Sequence, residues 1–195
     1  FLVDGYAKQG GVVPILYSYT DYASLSIGKV RNLKTLLQIG EAYQAVGMLP
    51  EAVRFYEKVK QLDTRKSYND RIFLNLGQVH YDKKNYGEAE FVARSFLKTF
   101  PRSPGLRDAM KLLANSFYGR KQYDDALKTY QNILKKFPKD PSEIHYLIAT
   151  VEADRNRTPE AIAAYKKTID TFVSAQKIVP SYIGNTHYKL GNSLY

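Results

Sequence analysis

The chain has 195 residues, of which 44% are hydrophobic and 25% charged, with 29 Lys and Arg against 19 Asp and Glu and no cysteine. That apolar content supports a packed core, and no apolar run reaches the roughly 18 residues that a membrane span needs. Without cysteine there is neither a disulfide nor a thiolate metal site, and a formal charge of +10 favours an anionic partner: acidic protein, nucleic acid or a membrane surface.

From the N-terminus, "GGVVP" at 10–14 parallels "VGMLP" at 46–50, so residues 1–27 read as a partial helical hairpin in which Leu16 takes a place that alanine fills later. Residues 33–64 carry the full pattern. Leu36, Ile39, Gly40 and Tyr43 fall at i, i+3, i+4 and i+7, and Ala52, Phe55, Tyr56 and Val59 do the same. Such spacing predicts two amphipathic helices of about three to four turns joined by a tight turn. The unit then recurs over 70–101, 107–138 and 142–173. Its alanine is Ala52, Ala89, Ala126 and Ala161, at steps of 37, 37 and 35, and a small residue (Gly40, Gly77, Ala114, Ala149) precedes it by 12 each time. A constant internal distance with variable steps describes rigid hairpins on variable connections. Small residues are expected where the two helices cross, Gly77 against Ala89 and Ala114 against Ala126, because a larger side chain would hold them apart. Phe100-Pro101 and Phe137-Pro138 end second helices, since proline lacks the N–H and disfavours helix in the residue before it. Residues 180–195 read as the first helix of a further unit, with Gly191 as its small residue. The step of 42 from Ala149 to Gly191 predicts a longer connection around 173–182. With "FLVDGYAKQG" at the start and no polar capping helix, a fragment of a longer repeat array is expected.

Leu76-Gly77, Tyr81, Ala89, Phe96 and Pro101, and again Leu113-Ala114, Phe117, Ala126, Tyr130 and Pro138, resemble the tetratricopeptide repeat, whose usual length is 34 residues. The "FPRSP" and "FPKDP" endings are similar to repeats of bacterial cell-envelope proteins of the Tol-Pal coordinator type. The resemblance implies an all-α fold, a right-handed superhelical solenoid of antiparallel helix pairs. It also implies a non-catalytic scaffold that binds a partner peptide or protein segment in a groove lined by first helices. By helical offset, the groove residues are Lys34, Arg71, Gln78, Tyr81, Lys111, Asn115 and Tyr118, with Leu37, Leu74, Tyr146 and Tyr188 beside them. Lys and Arg would take carboxylates, Gln and Asn the peptide backbone, and Tyr the faces of side chains, which suits an acidic peptide. Lys111 and Asn115 are similar to one element of the carboxylate clamp of chaperone-binding members, although Leu147 stands where a neighbouring cation would complete it. The double variant Lys111→Ala, Asn115→Ala is expected to weaken binding and leave melting unchanged.

Equivalent turns carry Lys83 and Lys84, Arg120 and Lys121, and Arg155 and Arg157, a basic edge. Cations at helix C-termini complement the dipole; the alternative function is nucleic-acid binding along that edge. His80, His145 and His187 lie in different units with no second ligand at helical spacing, so neither metal nor cofactor is expected. Asp124 and Asp125 fall in the first turn of a helix, where they complement its dipole and do not read as an acid–base pair. The periplasm or cell envelope is slightly favoured over the cytoplasm.

Overall fold

A computed structural model of the chain describes residues 32–172 and 181–192. The expected hairpin at 1–27, and all but the last two residues of the connection expected at 173–182, lie outside the described residues. Every regular element among those described is an α-helix, and they fall into two units divided after Gly105. The first unit holds α1 (Leu33–Ala45), α2 (Leu49–Leu62), α3 (Asn69–Asp82) and α4 (Tyr86–Thr99). The second holds α5 (Leu106–Gly119), α6 (Tyr123–Lys136), α7 (Ser142–Asp154), α8 (Thr158–Asp170) and α9 (Ser181–Asn192). Successive helices pair as hairpins: α1 with α2, α3 with α4, α5 with α6, α7 with α8. Within the first unit α3 rests on both α1 and α2; within the second, α7 rests on α6, and α9 on α7 and α8. The fold is an all-α helical repeat.

Local chemistry starts and stops each helix. The Asn32 side chain accepts the Thr35 N–H at 3.2 Å and caps α1. Pro50 and Pro159 sit in the first turns of α2 and α8, where a missing N–H has no partner to lose. The turn inside every hairpin is built the same way. Gly47, Lys84, Lys121 and Asn156, each five residues before the recurring alanine, have φ of 80°, 61°, 60° and 60°. At each, two backbone bonds close the helix end, as where Lys121 N–H donates to Tyr118 O at 2.9 Å and Gln122 N–H to Phe117 O at 2.9 Å. A left-handed conformation costs a residue with a Cβ about 1–2 kcal/mol, which exceeds the extra chain entropy that glycine loses on folding, about 0.5–1 kcal/mol.

The recurring alanines are buried without exception. In the hairpin of α1 and α2 the small residue meets an aromatic ring. A Cβ on Gly40 would lie 2.6 Å from Cε1 and 2.9 Å from Cδ1 of Tyr56, and 3.2 Å from the Phe55 Cβ. In this hairpin it is thus the Tyr56 ring, four residues after Ala52, that needs the small residue. Gly191 has nothing within 4 Å of such a Cβ, in keeping with a first helix that has no described second helix against it. At the end of α4, Phe100 packs on Phe73 and Phe96 with centroids 5.8 and 5.2 Å away, so its Phe-Pro both stops the helix and plugs the core. In the first hairpin Asp63 stands in that place, buried, and accepts the Tyr68 N–H at 2.7 Å.

Gly40→Ala should lower the unfolding free energy by about 1–2 kcal/mol in urea denaturation, the overpacking cost less alanine's better helix propensity, whereas Gly191→Ala should not lower it. In the same assay Lys121→Gly should raise stability by about 0.5 kcal/mol; no gain would mean that the Lys121 backbone is not left-handed in solution.

Candidate functional site

The faces of the first helices carry polar networks that repeat in register. In the first unit the buried Tyr56 phenol donates to Gln44 Oε1 at 2.7 Å, and Gln44 Nε2 donates to Asp82 Oδ2 at 2.9 Å. The Gln78 amide, one turn before Asp82 on α3, donates to the other carboxylate oxygen at 2.9 Å. In the second unit the Tyr118 hydroxyl donates to Asp154 Oδ2. Gln44 and Tyr118 both lie four residues after the small residue of their unit, and Asp82 and Asp154 both lie five after theirs. One geometry, a first helix reaching to the last residue of the next first helix, is therefore used twice with different donors.

A second bridge joins the same helices one to three turns earlier. The Arg71 guanidinium grips Glu41 with two bonds of 2.9 and 2.8 Å, and Asn75 Nδ2 adds a third at 3.1 Å. In the second unit Lys111 reaches Glu143 at 3.0 Å and Asp108 at 3.8 Å. Arg71 and Lys111, expected to meet partner carboxylates, thus meet carboxylates of the chain itself. Asn115 accepts the buried Tyr130 hydroxyl at 2.6 Å. The Tyr81 and Tyr118 rings each cover the turn of their own hairpin, against Tyr86 at 5.4 Å and Tyr123 at 6.2 Å between centroids. Lys34 is exposed near the start of α1, Leu37 is fully buried, and Leu74 lies partly buried beside Gly105. Tyr146 is held between Tyr165 and Tyr182, with the Lys189 ammonium 5.6 Å from its ring centroid, and Tyr188 is 71% exposed.

These surroundings shift the phenols. Burial, then the Glu41 and Asp82 charges, push Tyr56 well above its usual range, against the opposing pull of Arg71. Burial raises Tyr81 too, followed by Tyr86 and Asp82. The third tyrosine of this kind, Tyr165, follows Ala161 by four, as Tyr56 follows Ala52 and Tyr130 follows Ala126. Its hydroxyl is buried without a partner. The positions that serve the other two phenols are here Thr150, which donates to the Tyr146 carbonyl at 3.0 Å, and Ala153.

Glu41, Gln44, Ala45, Gly47, Leu49, Gln78 and Asp82 line an open depression of about 670 Å³ on the first unit. Helical offset alone missed Glu41, Gln44 and Asp82, as it missed Glu143 and Asp154. A signal was present in the shared offset of Asp82 and Asp154, but it points to a contact only once the helices are known to lie side by side.

Residues 35–71 and 111–172 each match a tetratricopeptide repeat family, together just over half of the chain. The chain belongs to the tetratricopeptide repeat family. Solved structures agree on the fold of this tetratricopeptide repeat protein. MamA from Desulfovibrio magneticus RS-1, residues 41 to the end, is 18% identical with a TM-score of 0.60, over 87% of this chain and 90% of its own. MamA of AMB-1 is 17% identical with a TM-score of 0.58, over 86% and 93%. The Cut9–Hcn1 hetero-tetramer of the APC/C is 17% identical with a TM-score of 0.69, over 99% of this chain and 35% of that one. No curated protein sequence matches.

On the basic turns of this repeat protein, Lys83, Lys84, Arg120, Lys121 and Arg157 are exposed. Arg155 is not: its guanidinium bridges hairpins, 2.8 Å from Asp124 in the first turn of α6 and 3.9 Å from Glu152. The corresponding turn of the first hairpin, Val46-Gly47-Met48, carries no cation. His80 is partly buried, with a buried Nδ1 that has no partner, and His187 is exposed. Burial and then Lys167 hold His145 below its ordinary value. Among the described residues no three His, Asp or Glu side chains converge on a metal position.

The Tyr130–Asn115 bond changes what Lys111→Ala with Asn115→Ala should do. Asn115→Ala removes the acceptor of a buried phenol and should destabilise by about 1–3 kcal/mol, whereas Lys111→Ala should cost less than about 1 kcal/mol because its ion pairs are partly exposed. Thermal melts of the two single variants check this. Equal melting temperatures would show that the Tyr130 hydroxyl does not depend on Asn115.

Proposed function

We propose that this protein is a non-catalytic scaffold that receives an extended segment of a partner protein along its first helices, in the assembly of a bacterial cell-envelope complex. Tetratricopeptide repeat proteins are protein-interaction scaffolds. The observation that carries the finer reading is the open depression between α1 and α3, lined by the apolar Ala45 and Leu49 and by the Gln44 and Gln78 amides, both hydrogen-bonded to Asp82. Gln44 accepts from Tyr56, so its NH2 must face Asp82. Polar groups held in place from the core lose little freedom when a peptide binds, which is how a shallow site reaches useful affinity. The Phe-Pro endings, similar to those of the Tol-Pal coordinator type, favour the cell envelope. A protein segment is favoured over nucleic acid because the basic turns are interrupted, Arg155 being bound to Asp124 and the first turn lacking a cation.

A photo-crosslinking residue in place of Gln78 or Lys34, with Lys98 and Lys128 as controls on exposed positions of second helices, tests the proposal in cells of the source organism. Adducts should form from the first-helix positions and map by mass spectrometry to one segment of one partner. Adducts confined to Lys98 and Lys128 would place the interface elsewhere.

A further inference from the structure

We infer that the depression on the first unit takes a cationic side chain, lysine or arginine, of the partner segment, with the Asp82 carboxylate as its counter-ion. The inference rests on the first-helix site proposed above and reverses the charge expected from a chain of net +10. Two carboxylates line the depression, and they are not equivalent. Glu41 accepts three bonds, and its charge is matched by the Arg71 guanidinium that makes two of them. Asp82 receives one amide N–H on each oxygen, from Gln44 and Gln78, and among the described residues no Lys or Arg lies within ion-pair distance of it. Each oxygen keeps a lone pair for another donor.

The backbone adds to this charge. Asp82 is the last residue of α3, so its carboxylate joins the negative end of the helix dipole, where cations are stabilised. Its field is felt across the site, since it contributes to the upward shift of both Tyr56 and Tyr81. Nor does the carboxylate have to be organised on binding. Tyr56 is buried in the core, it fixes Gln44, and Gln44 together with Gln78 fixes Asp82. Beside it, Ala45, Leu49 and the open space over Gly47 leave room for the methylene stem of a long side chain, the arrangement in which lysine and arginine bury their stems and present their charge. A partner carboxylate there would meet Asp82, and no Lys or Arg lines the depression, Arg71 being held by Glu41.

Panning phage-displayed random twelve-residue peptides against the intact chain tests the inference. Peptides with Lys or Arg at one fixed position should be enriched, and their labelled synthetic forms should bind about tenfold more weakly to Asp82→Asn, as loss of one charge-assisted bond predicts. Panning against Asp82→Lys should enrich Asp or Glu at that same position. Enriched peptides without a fixed basic residue, or basic peptides whose affinity is the same for wild type, Asp82→Asn and Asp82→Lys, would overturn the inference while leaving the peptide-binding reading intact. No enriched peptide at all would overturn both. Asp82 is exposed, and asparagine can still accept from one of the two glutamines, so Asp82→Asn is not expected to impair folding.

Discussion

A tyrosine ring laid on a glycine backbone is the contact from which much of the first unit follows. Tyr56 is too large to sit beside any Cβ at position 40, so α1 and α2 approach at the distance that glycine allows, and the ring is removed from solvent altogether. Burying a phenol brings an obligation with it. An unpaired hydroxyl in the core loses its hydrogen bonds to water, so a partner has to be supplied from the first helix. Gln44 meets that need, and in doing so is oriented toward Asp82 on the neighbouring helix. A packing constraint inside one hairpin thereby sets the polar surface between two.

The same logic runs with other letters in the second unit. Tyr130 is satisfied by Asn115, and the bridge to the next first helix is made by Tyr118 to Asp154. Tyr165 has no such partner, because Thr150 is turned back on its own helix and Ala153 has nothing to offer. The repeats keep the geometry and vary the chemistry, so the side chains that satisfy, or fail to satisfy, the buried tyrosines differ from one first helix to the next.

Charge is distributed in a way that its sum conceals. The cationic excess sits largely on turns and exposed helix faces, while on the first helices Arg71 and Lys111 are matched by Glu41 and Glu143. Exposed ion pairs of this kind contribute little to stability. With Glu41 paired to Arg71, Asp82 is the carboxylate lining the depression of the first unit that has no Lys or Arg within ion-pair distance among the described residues.

Helix pairs, their repeat and their family were legible because they rest on local rules: apolar residues at helical spacing, small residues at a fixed distance, proline after phenylalanine. Such patterns need only the chain itself. Glu41 as the partner of Arg71, Glu143 of Lys111 and Tyr130 of Asn115 were not legible, because each lies 15 or more residues away, and Gln78 bonds a carboxylate shared with a neighbouring helix. Sequence alone therefore determined the helical hairpins and where the first helices run. Only tertiary packing decided which of their cations and amides are engaged, because hydrogen bonds depend on distances of a few tenths of an ångström between helices, and periodicity fixes none of those.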